Sequence, residues 1–181
     1  MNNTKKLTIL GVLGALSVIL VTLIHFPIFP AASFLEYDPA DIPIFVAAFL
    51  IGPLSGFVLT VVVSVIQGVT VSSASGYIGI LMHIFSTGAF VLAAGNIYRI
   101  NRTKKGAMAG LAVGVAVMTA VMTLWNLLLT PIFMGVPRQA VAELLLPAIL
   151  PFNIIKSGVN AIVTMFVYKK ISTFVNKHIS K

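Results

Sequence analysis

The chain is a succession of apolar runs, several about as long as a bilayer is thick, separated by short polar segments. The first run covers residues 7–24 and contains no charged residue. A transmembrane helix needs about 20 consecutive apolar residues to cross the hydrocarbon core of a membrane. Only 9% of the 181 residues are charged, whereas a soluble domain carries roughly 25%. The pattern predicts an all-α integral membrane protein and excludes a large catalytic domain outside the membrane.

Turn signals and charged clusters divide the chain into six predicted spans, which form a single membrane domain over residues 1–181. Gly52-Pro53 separates the second span from the third, because glycine permits a tight turn and proline disfavours helix in the residue before it. The second span has only about 10 residues, so it either begins within the preceding loop or is incomplete. The first run could instead be a signal peptide, but its 18 residues exceed the roughly 7 to 15 of such a segment. The predicted spans are residues 7–24, 42–51, 54–71, 77–98, 106–130 and 144–174.

Basic residues indicate the orientation of this six-helix bundle. With six spans, ten of the twelve Lys and Arg residues fall on one side of the membrane. The positive-inside rule makes that side cytoplasmic, and both termini are then cytoplasmic. All four acidic residues fall on the outer side. The ten basic residues are Lys5, Lys6, Arg99, Arg102, Lys104, Lys105, Lys169, Lys170, Lys177 and Lys181.

Polar residues within the spans gather in the outer half of the membrane. Polar groups are costly there unless they find partners or line a cavity, so each is a candidate for substrate binding. We expect the loop at residues 26–41 to roof an outward-open pocket and to add Glu36, Tyr37 and Asp38 to the candidate substrate-binding residues. Lys156 can also be satisfied by extending to the outer interface or by pairing with Glu36 or Asp38. The alternatives are hydrogen bonds between helices, packing of a lone histidine, and an aromatic belt at Trp125. The candidates within the spans are Gln67, His83, Trp125, Asn126, Asn153, Lys156 and Asn160.

Several classes of function have no supporting residues in the sequence. The chain has no cysteine and no phosphate-binding glycine loop, so it offers neither thiolate chemistry nor that route to ATP hydrolysis. We predict no catalytic residues, no metal site and no cofactor. The net charge of +8 accompanies no soluble basic module, so nucleic acid is not an expected partner. Gly11 and Ala15 are four residues apart in the first span, which gives a face that another helix can approach closely, within the bundle or in a partner.

Three motifs together resemble a known family. They are Phe34-Leu35-Glu36-Tyr37-Asp38-Pro39-Ala40-Asp41-Ile42-Pro43, Gly52-Pro53-Leu54-Ser55-Gly56 and Pro151-Phe152-Asn153-Ile154-Ile155-Lys156. In this order they look like the substrate-binding S component of an energy-coupling factor (ECF) vitamin transporter, nearest the riboflavin group. The resemblance implies a six-helix bundle in a prokaryotic plasma membrane that captures a vitamin from outside and topples to release it. It also implies a transmembrane coupling subunit, contacted by the Gly11 and Ala15 face, and two cytoplasmic ATPases.

Two departures from the pattern of the riboflavin group leave the identity of the vitamin open. This chain has Ile66-Gln67 where riboflavin-type members often have Lys-Asn, and Asn126-Leu127-Leu128 where they tend to have Asn-Tyr-Phe. Riboflavin, or its phosphate ester FMN, is the expected ligand. Pantothenate is the alternative, because its carboxylate would suit Lys156. A membrane scaffold without a small ligand is the second alternative.

Overall fold

The computed structural model describes residues 2–178, with side chains for all of these except residue 31 and residues 172–178. Lys181 and the side chain of Lys177, both counted above, therefore lie outside the described part. A two-stranded antiparallel ribbon, β1 (Phe26–Pro27) and β2 (Glu36–Tyr37), follows the first helix. The helices are α1 (Asn3–Leu23), α2 (Asp41–Leu50), α3 (Pro53–Val69), α4 (Gly76–Ile100), α5 (Lys104–Met134), α6 (Arg138–Glu143) and α7 (Leu150–His178).

Four helices of the described chain, α1, α4, α5 and α7, are long and apolar enough to cross a membrane. Helices α2 and α3 are also apolar but have only 10 and 17 residues. At about 1.5 Å per residue, α2 is roughly 15 Å long, which is half of the hydrocarbon core. The all-α membrane fold is confirmed, while the count of six spans remains a prediction.

Helix α2 lies in the centre of the bundle. Every residue from Pro43 to Phe49 is buried, and the helix contacts α1, α3, α4 and α7. The ring of Phe45 stacks on that of Phe90 at 3.7 Å between centroids. Gly52 then reverses the chain with φ of 141°, a conformation that side chains rarely adopt. A helix too short to span is stable at this depth because protein rather than lipid surrounds its ends.

The loop predicted from Pro131 to Glu143 is largely helical, so the ends of the fifth and sixth spans need correction. Pro131 lies in the last turn of α5, where its missing N–H removes one hydrogen bond without ending the helix. The helix ends at Gly135, which adopts the left-handed conformation with φ of 66°. The short helix α6 follows, and a π-helical turn over residues 145–149 connects it to α7.

The two ends of the bundle differ in charge. Lys169, near the end of α7, lies beside Lys104 at the start of α5. The loop over residues 26–41 covers the other end, where an apolar cluster joins it to α6 and the start of α7. Lys104 and Lys169 therefore lie at the end of the bundle opposite the acidic loop. The cluster consists of Ala32, Leu35, Val141, Ala148, Ile149 and Phe152.

Close packing of α4 on α5 generates a stability prediction at Gly110. A methyl group there would lie 2.7 Å from the carbonyl oxygen of Ala94, a backbone atom that cannot move aside easily. We expect Gly110→Ala to lower the free energy of unfolding by about 1 to 3 kcal/mol, as overpacking does. Gly11→Ala is the matched control, since nothing lies within 4 Å of its added methyl group. Thermal unfolding of both variants in detergent measures the difference, and equal melting temperatures would contradict it.

Candidate functional site

A cavity of about 1040 Å³, counted with the open space at its mouth, lies beneath the loop over residues 26–41. Helices α1, α3, α4, α5 and α7 and the α3–α4 loop also contribute to its walls. Pockets for small ligands are mostly apolar, with a few convergent polar groups. The predicted site residues that line this cavity are Glu36, Asp38, Gln67, His83, Asn126, Asn153 and Lys156.

Lys156 forms a buried ion pair with the first loop. Its Nζ donates to Asp38 Oδ2 at 2.6 Å and to the carbonyl oxygen of Glu36 at 3.3 Å. The exposed fractions of the two side chains are 13% and 6%. Asp38 is itself held in place, because its Oδ1 accepts from the backbone N–H of Ala40 at 3.0 Å. The expected pairing of Lys156 with the loop is therefore present, through the carboxylate of Asp38 rather than that of Glu36.

Asn160 connects the loop to the interior of the bundle. Its Nδ2 donates to the carbonyl oxygen of Asp38 at 3.1 Å and to Asp41 Oδ2 at 3.4 Å. Its Oδ1 accepts from the hydroxyl of Tyr37 at 3.0 Å. Burial, followed by the nearby charge of Asp38, raises the pKa of the Tyr37 phenol, so it remains a donor at neutral pH. Neither Asn160 nor Tyr37 is among the residues that line the cavity; both support the side chains that do.

A second buried carboxylate, that of Asp41, was not among the predicted site residues. Asp41 is fully buried, and its Oδ1 accepts from His83 Nε2 at 3.1 Å and from the hydroxyl of Thr87 at 2.9 Å. The other ring nitrogen of His83 lies 2.6 Å from the hydroxyl of Ser64. The spacing of His83 and Thr87 was a usable signal, because residues i and i+4 share one face of a helix. His83 is thus a partnered residue on the cavity wall.

Asp41, His83 and Ser64 are hydrogen-bonded to one another in the arrangement of a catalytic triad of acid, histidine and serine. The surroundings of Ser64 do not suit hydrolysis. The Ser64 hydroxyl is buried and donates its single proton to the carbonyl oxygen of Thr60 at 2.6 Å, so it does not donate to His83 as well. Ser64 lies inside α3, where the backbone N–H groups are used by the helix and provide no oxyanion hole. The chain of hydrogen bonds therefore connects three helices and gives no sign of an activated nucleophile.

The two asparagines on the cavity wall are partly satisfied by their own helices. Asn126 Nδ2 donates to the carbonyl oxygen of Met122, and its Oδ1 accepts from Thr130. Asn153 Nδ2 donates to the carbonyl oxygen of Ile149 at 2.7 Å. Each amide has a second N–H and further acceptor capacity. The second N–H and the unused acceptor capacity of each amide are therefore available to a ligand in the cavity.

Trp125 does not line the cavity. It stacks on Phe85 at 5.0 Å between ring centroids, and Phe85 is 48% exposed. The side of α5 that carries Trp125 thus faces outward, next to Asn126, which faces inward. This position fits the aromatic belt that was the alternative for this residue.

The small-residue face of α1 also points outward. Gly11 and Ala15 are both exposed, whereas the added methyl group of a residue at Gly14 would lie 3.1 Å from Leu59. Packing within the bundle was the alternative interpretation of Gly11 and Ala15, and the structure does not place them there. Among the residues with described side chains, no group of three His, Asp or Glu residues could hold a metal ion.

A helical membrane bundle with a roofed, partly polar cavity is the architecture of a solute-binding membrane protein. Comparison with known proteins identifies its family. The model of the substrate-specific component of ECF transporters matches residues 5–168. A solved S component of a bacterial ECF transporter superposes with a TM-score of 0.82 at 29% identity, over 96% of this chain and 99% of that one. The chain belongs to the family of ECF transporter S components.

Similar proteins of known function carry more specific names. The riboflavin transporter RibU of Staphylococcus aureus (strain TCH60) is 28% identical, over 98% of this chain and 95% of its own length. The riboflavin transporter FmnP of Bacillus subtilis (strain 168) is 26% identical, over 96% and 95%. RibU of Streptococcus thermophilus is 24% identical, over 98% and 87%.

The ion pair beneath the loop generates a prediction with an internal control. Asp38→Asn leaves the buried ammonium of Lys156 without its counter-charge, and breaking such a pair costs about 3 to 5 kcal/mol of stability. Glu36→Gln neutralises a carboxylate two residues away that forms no ion pair with Lys156. We expect thermal unfolding to show a large loss for Asp38→Asn and a change within about 0.5 kcal/mol for Glu36→Gln. Equal effects would mean that the pair does not stabilise the fold.

Proposed function

We propose that this chain captures riboflavin from outside the cell as the membrane-embedded S component of an ECF transporter. The observation that carries the proposal is the cavity itself, in which amides and an ammonium meet apolar side chains. Met118, Met122 and Phe152 provide apolar surface for a flat aromatic ring. The names of the similar transporters support the same vitamin.

The polar groups on α5 and α7 complement the imide edge of a flavin ring. That edge presents a carbonyl acceptor, an N–H donor and a second carbonyl acceptor in a row. Lys156 uses two of its three ammonium protons on the loop, which leaves one for a carbonyl. Asn126 and Asn153 each offer an N–H donor and acceptor capacity. In this pose the ligand's imide satisfies groups that the protein leaves available.

The same geometry makes pantothenate a poorer ligand. Its carboxylate would need an unbalanced cation, but the charge of Lys156 is already matched by Asp38 at 2.6 Å. A second anion would have to compete with that carboxylate inside a weakly screened site. A scaffold function without a ligand is also disfavoured, because a scaffold does not require a polar, roofed cavity. Riboflavin, which is uncharged, fits the balance of charges.

Ligand titration tests this assignment directly. We expect the purified protein to bind riboflavin with one site and to show quenching of Trp125, the single tryptophan, by energy transfer to the flavin. Lys156→Met and Asn153→Leu should each weaken binding at least tenfold, because each removes hydrogen bonds to the imide. Pantothenate should leave the fluorescence unchanged. Binding of pantothenate without binding of riboflavin would transfer the assignment to that vitamin.

Transport requires partners that supply energy. We propose that the chain crosses the plasma membrane of a prokaryote six times with both termini in the cytoplasm. It then delivers its cargo through a transmembrane coupling subunit driven by two cytoplasmic ATPases. The exposed Gly11 and Ala15 on α1 support a close helix contact there. The basic end of the bundle, with Lys104 and Lys169, supports a cytoplasmic position for that end.

The contact on α1 is tested by separating uptake from binding. Ala15→Leu fills the small-residue face, so we expect riboflavin uptake by cells that contain the complete transporter to fall at least tenfold. Riboflavin binding to the isolated variant should stay within twofold of wild type, since Ala15 is exposed and does not line the cavity. Ala109→Leu, another exposed alanine in a helix, is the matched control and should leave uptake unchanged. Normal uptake by Ala15→Leu would contradict a partner at this face.

A further inference from the structure

A second cavity lies at the end of the bundle opposite the loop over residues 26–41, where α2 meets α3. Its volume is about 610 Å³, counted with the open space at its mouth. The turn at Gly52 and Pro53 contributes one side, and the end of α4 contributes another. A methyl group added at Gly95 of α4 would lie 2.8 Å from Pro53, so the turn is level with Gly95, whereas α4 continues to Ile100. At 1.5 Å per residue, α4 extends roughly 7 Å beyond the turn. We call this cavity, which the short helices α2 and α3 leave beside α4, the α2–α3 notch.

Two arginines line the α2–α3 notch without a counter-charge. Arg99 lies in the last turn of α4, Arg102 follows that helix, and both side chains are exposed. Neither forms an ion pair with another described residue. All four acidic side chains of the chain lie in the loop over residues 26–41, at the start of α2 or at the end of α6, which is the other end of the bundle. The notch therefore carries two positive charges that no described side chain balances.

Neutral donors line the same cavity. The hydroxyl of Ser55 forms no hydrogen bond within the described part of the chain. The backbone N–H groups of Leu54 and Ser55 lie in the first turn of α3, where a helix provides no acceptor for them. The start of α3 does not by itself specify an anion, but two arginines in the same cavity do. Guanidinium, hydroxyl and backbone N–H donors together suit a phosphate group.

Apolar side chains beside these donors favour a lipid over a soluble phosphate. Phe49 and Ile51 line the notch, and so does Leu54, which is 70% exposed. Leu54, Val58 and Val62 are spaced four residues apart, so they form one exposed apolar stripe along α3, the α3 stripe. A hydrated phosphate ion has no use for this surface, whereas the acyl chain of a phospholipid would cover it. An acidic protein surface would match the arginines but not the α3 stripe, which faces lipid in a membrane-embedded bundle.

We propose that the α2–α3 notch binds the headgroup of an anionic phospholipid, with Arg99 and Arg102 on its phosphate and the α3 stripe against an acyl chain. In the orientation proposed above, this lipid belongs to the cytoplasmic leaflet. Anionic lipids of that leaflet attract basic residues next to transmembrane helices, and basic pockets between such helices bind lipid headgroups. A zwitterionic lipid fits less well, because its own ammonium group offsets the charge of its phosphate. The site is separate from the vitamin cavity and does not depend on which vitamin is bound.

Lipid binding to the purified protein in detergent, counted by native mass spectrometry, tests the notch. Wild type should bind a first molecule of phosphatidylglycerol, which is anionic, at least tenfold more tightly than zwitterionic phosphatidylcholine. The double variant Arg99→Gln/Arg102→Gln should lose at least tenfold in affinity for phosphatidylglycerol, since each basic residue near the membrane surface contributes about fivefold. Lys104→Gln/Lys105→Gln is the matched control, because it removes the same charge from exposed residues at the same end that do not line the notch. Its affinity should change less than threefold.

Four results would overturn the site. They are equal affinity of wild type for the two lipids, no loss in the arginine variant, equal loss in the two double variants, and displacement of phosphatidylglycerol by an equimolar amount of soluble glycerol 3-phosphate. The first would leave an acidic protein surface as the occupant, and the last would make it a free phosphate. Both double variants should keep the melting temperature of wild type and bind riboflavin within about twofold of it, which shows that they are folded. Absence of riboflavin binding to wild type would refute the proposed function and leave the lipid result intact, so the two failures are distinguishable.

Discussion

The ion pair between Lys156 and Asp38 is the contact on which the binding site depends. It connects the loop over residues 26–41 to α7 and thereby places a roof over the cavity. A buried ion pair contributes little net stability, because removing two charges from water offsets their attraction. Its value is geometric, since among the described side chains neither charge forms a second ion pair, and the pair fixes the position of the loop. The site is therefore organised before a ligand arrives.

A second set of hydrogen bonds holds the buried carboxylate of Asp41 in the interior of the bundle. Asp41 is held by His83, Thr87 and Asn160, which belong to α4 and α7, so one carboxylate at the start of α2 joins three helices. Asn160 contacts both aspartates and links the Lys156–Asp38 pair and the contacts of Asp41 into one network. Asn126 and Asn153 add neutral amides to the cavity wall, and Glu36 adds a carboxylate.

Some of the geometry follows from the spacing of polar residues. Asn153, Lys156 and Asn160, spaced i, i+3 and i+7, share one face of a helix; Asn153 and Lys156 line the cavity, and Asn160 bonds to the loop. The sequence did not single out Asp41, because an acidic residue at the edge of a predicted loop is indistinguishable from a solvated helix start. It also could not assign a side to Trp125, since lipid and protein both accept an indole. The helix after Pro131 was missed because proline in a last turn is less disruptive than in a helix centre.

The loop over residues 26–41 and the α3–α4 loop both border the cavity, but they are attached to the bundle with unequal strength. The difference determines which of the two can open at lower cost. The loop over residues 26–41 is held by an ion pair, by the Tyr37 bond to Asn160 and by an apolar cluster with Phe152. The α3–α4 loop is held at its start by the three hydrogen bonds to Gln67, the side-chain one at 3.4 Å. Displacing the first loop would expose a buried charge to an apolar interior, whereas displacing the second breaks bonds that water replaces at small cost. Opening at the α3–α4 loop is therefore the less costly route into the cavity.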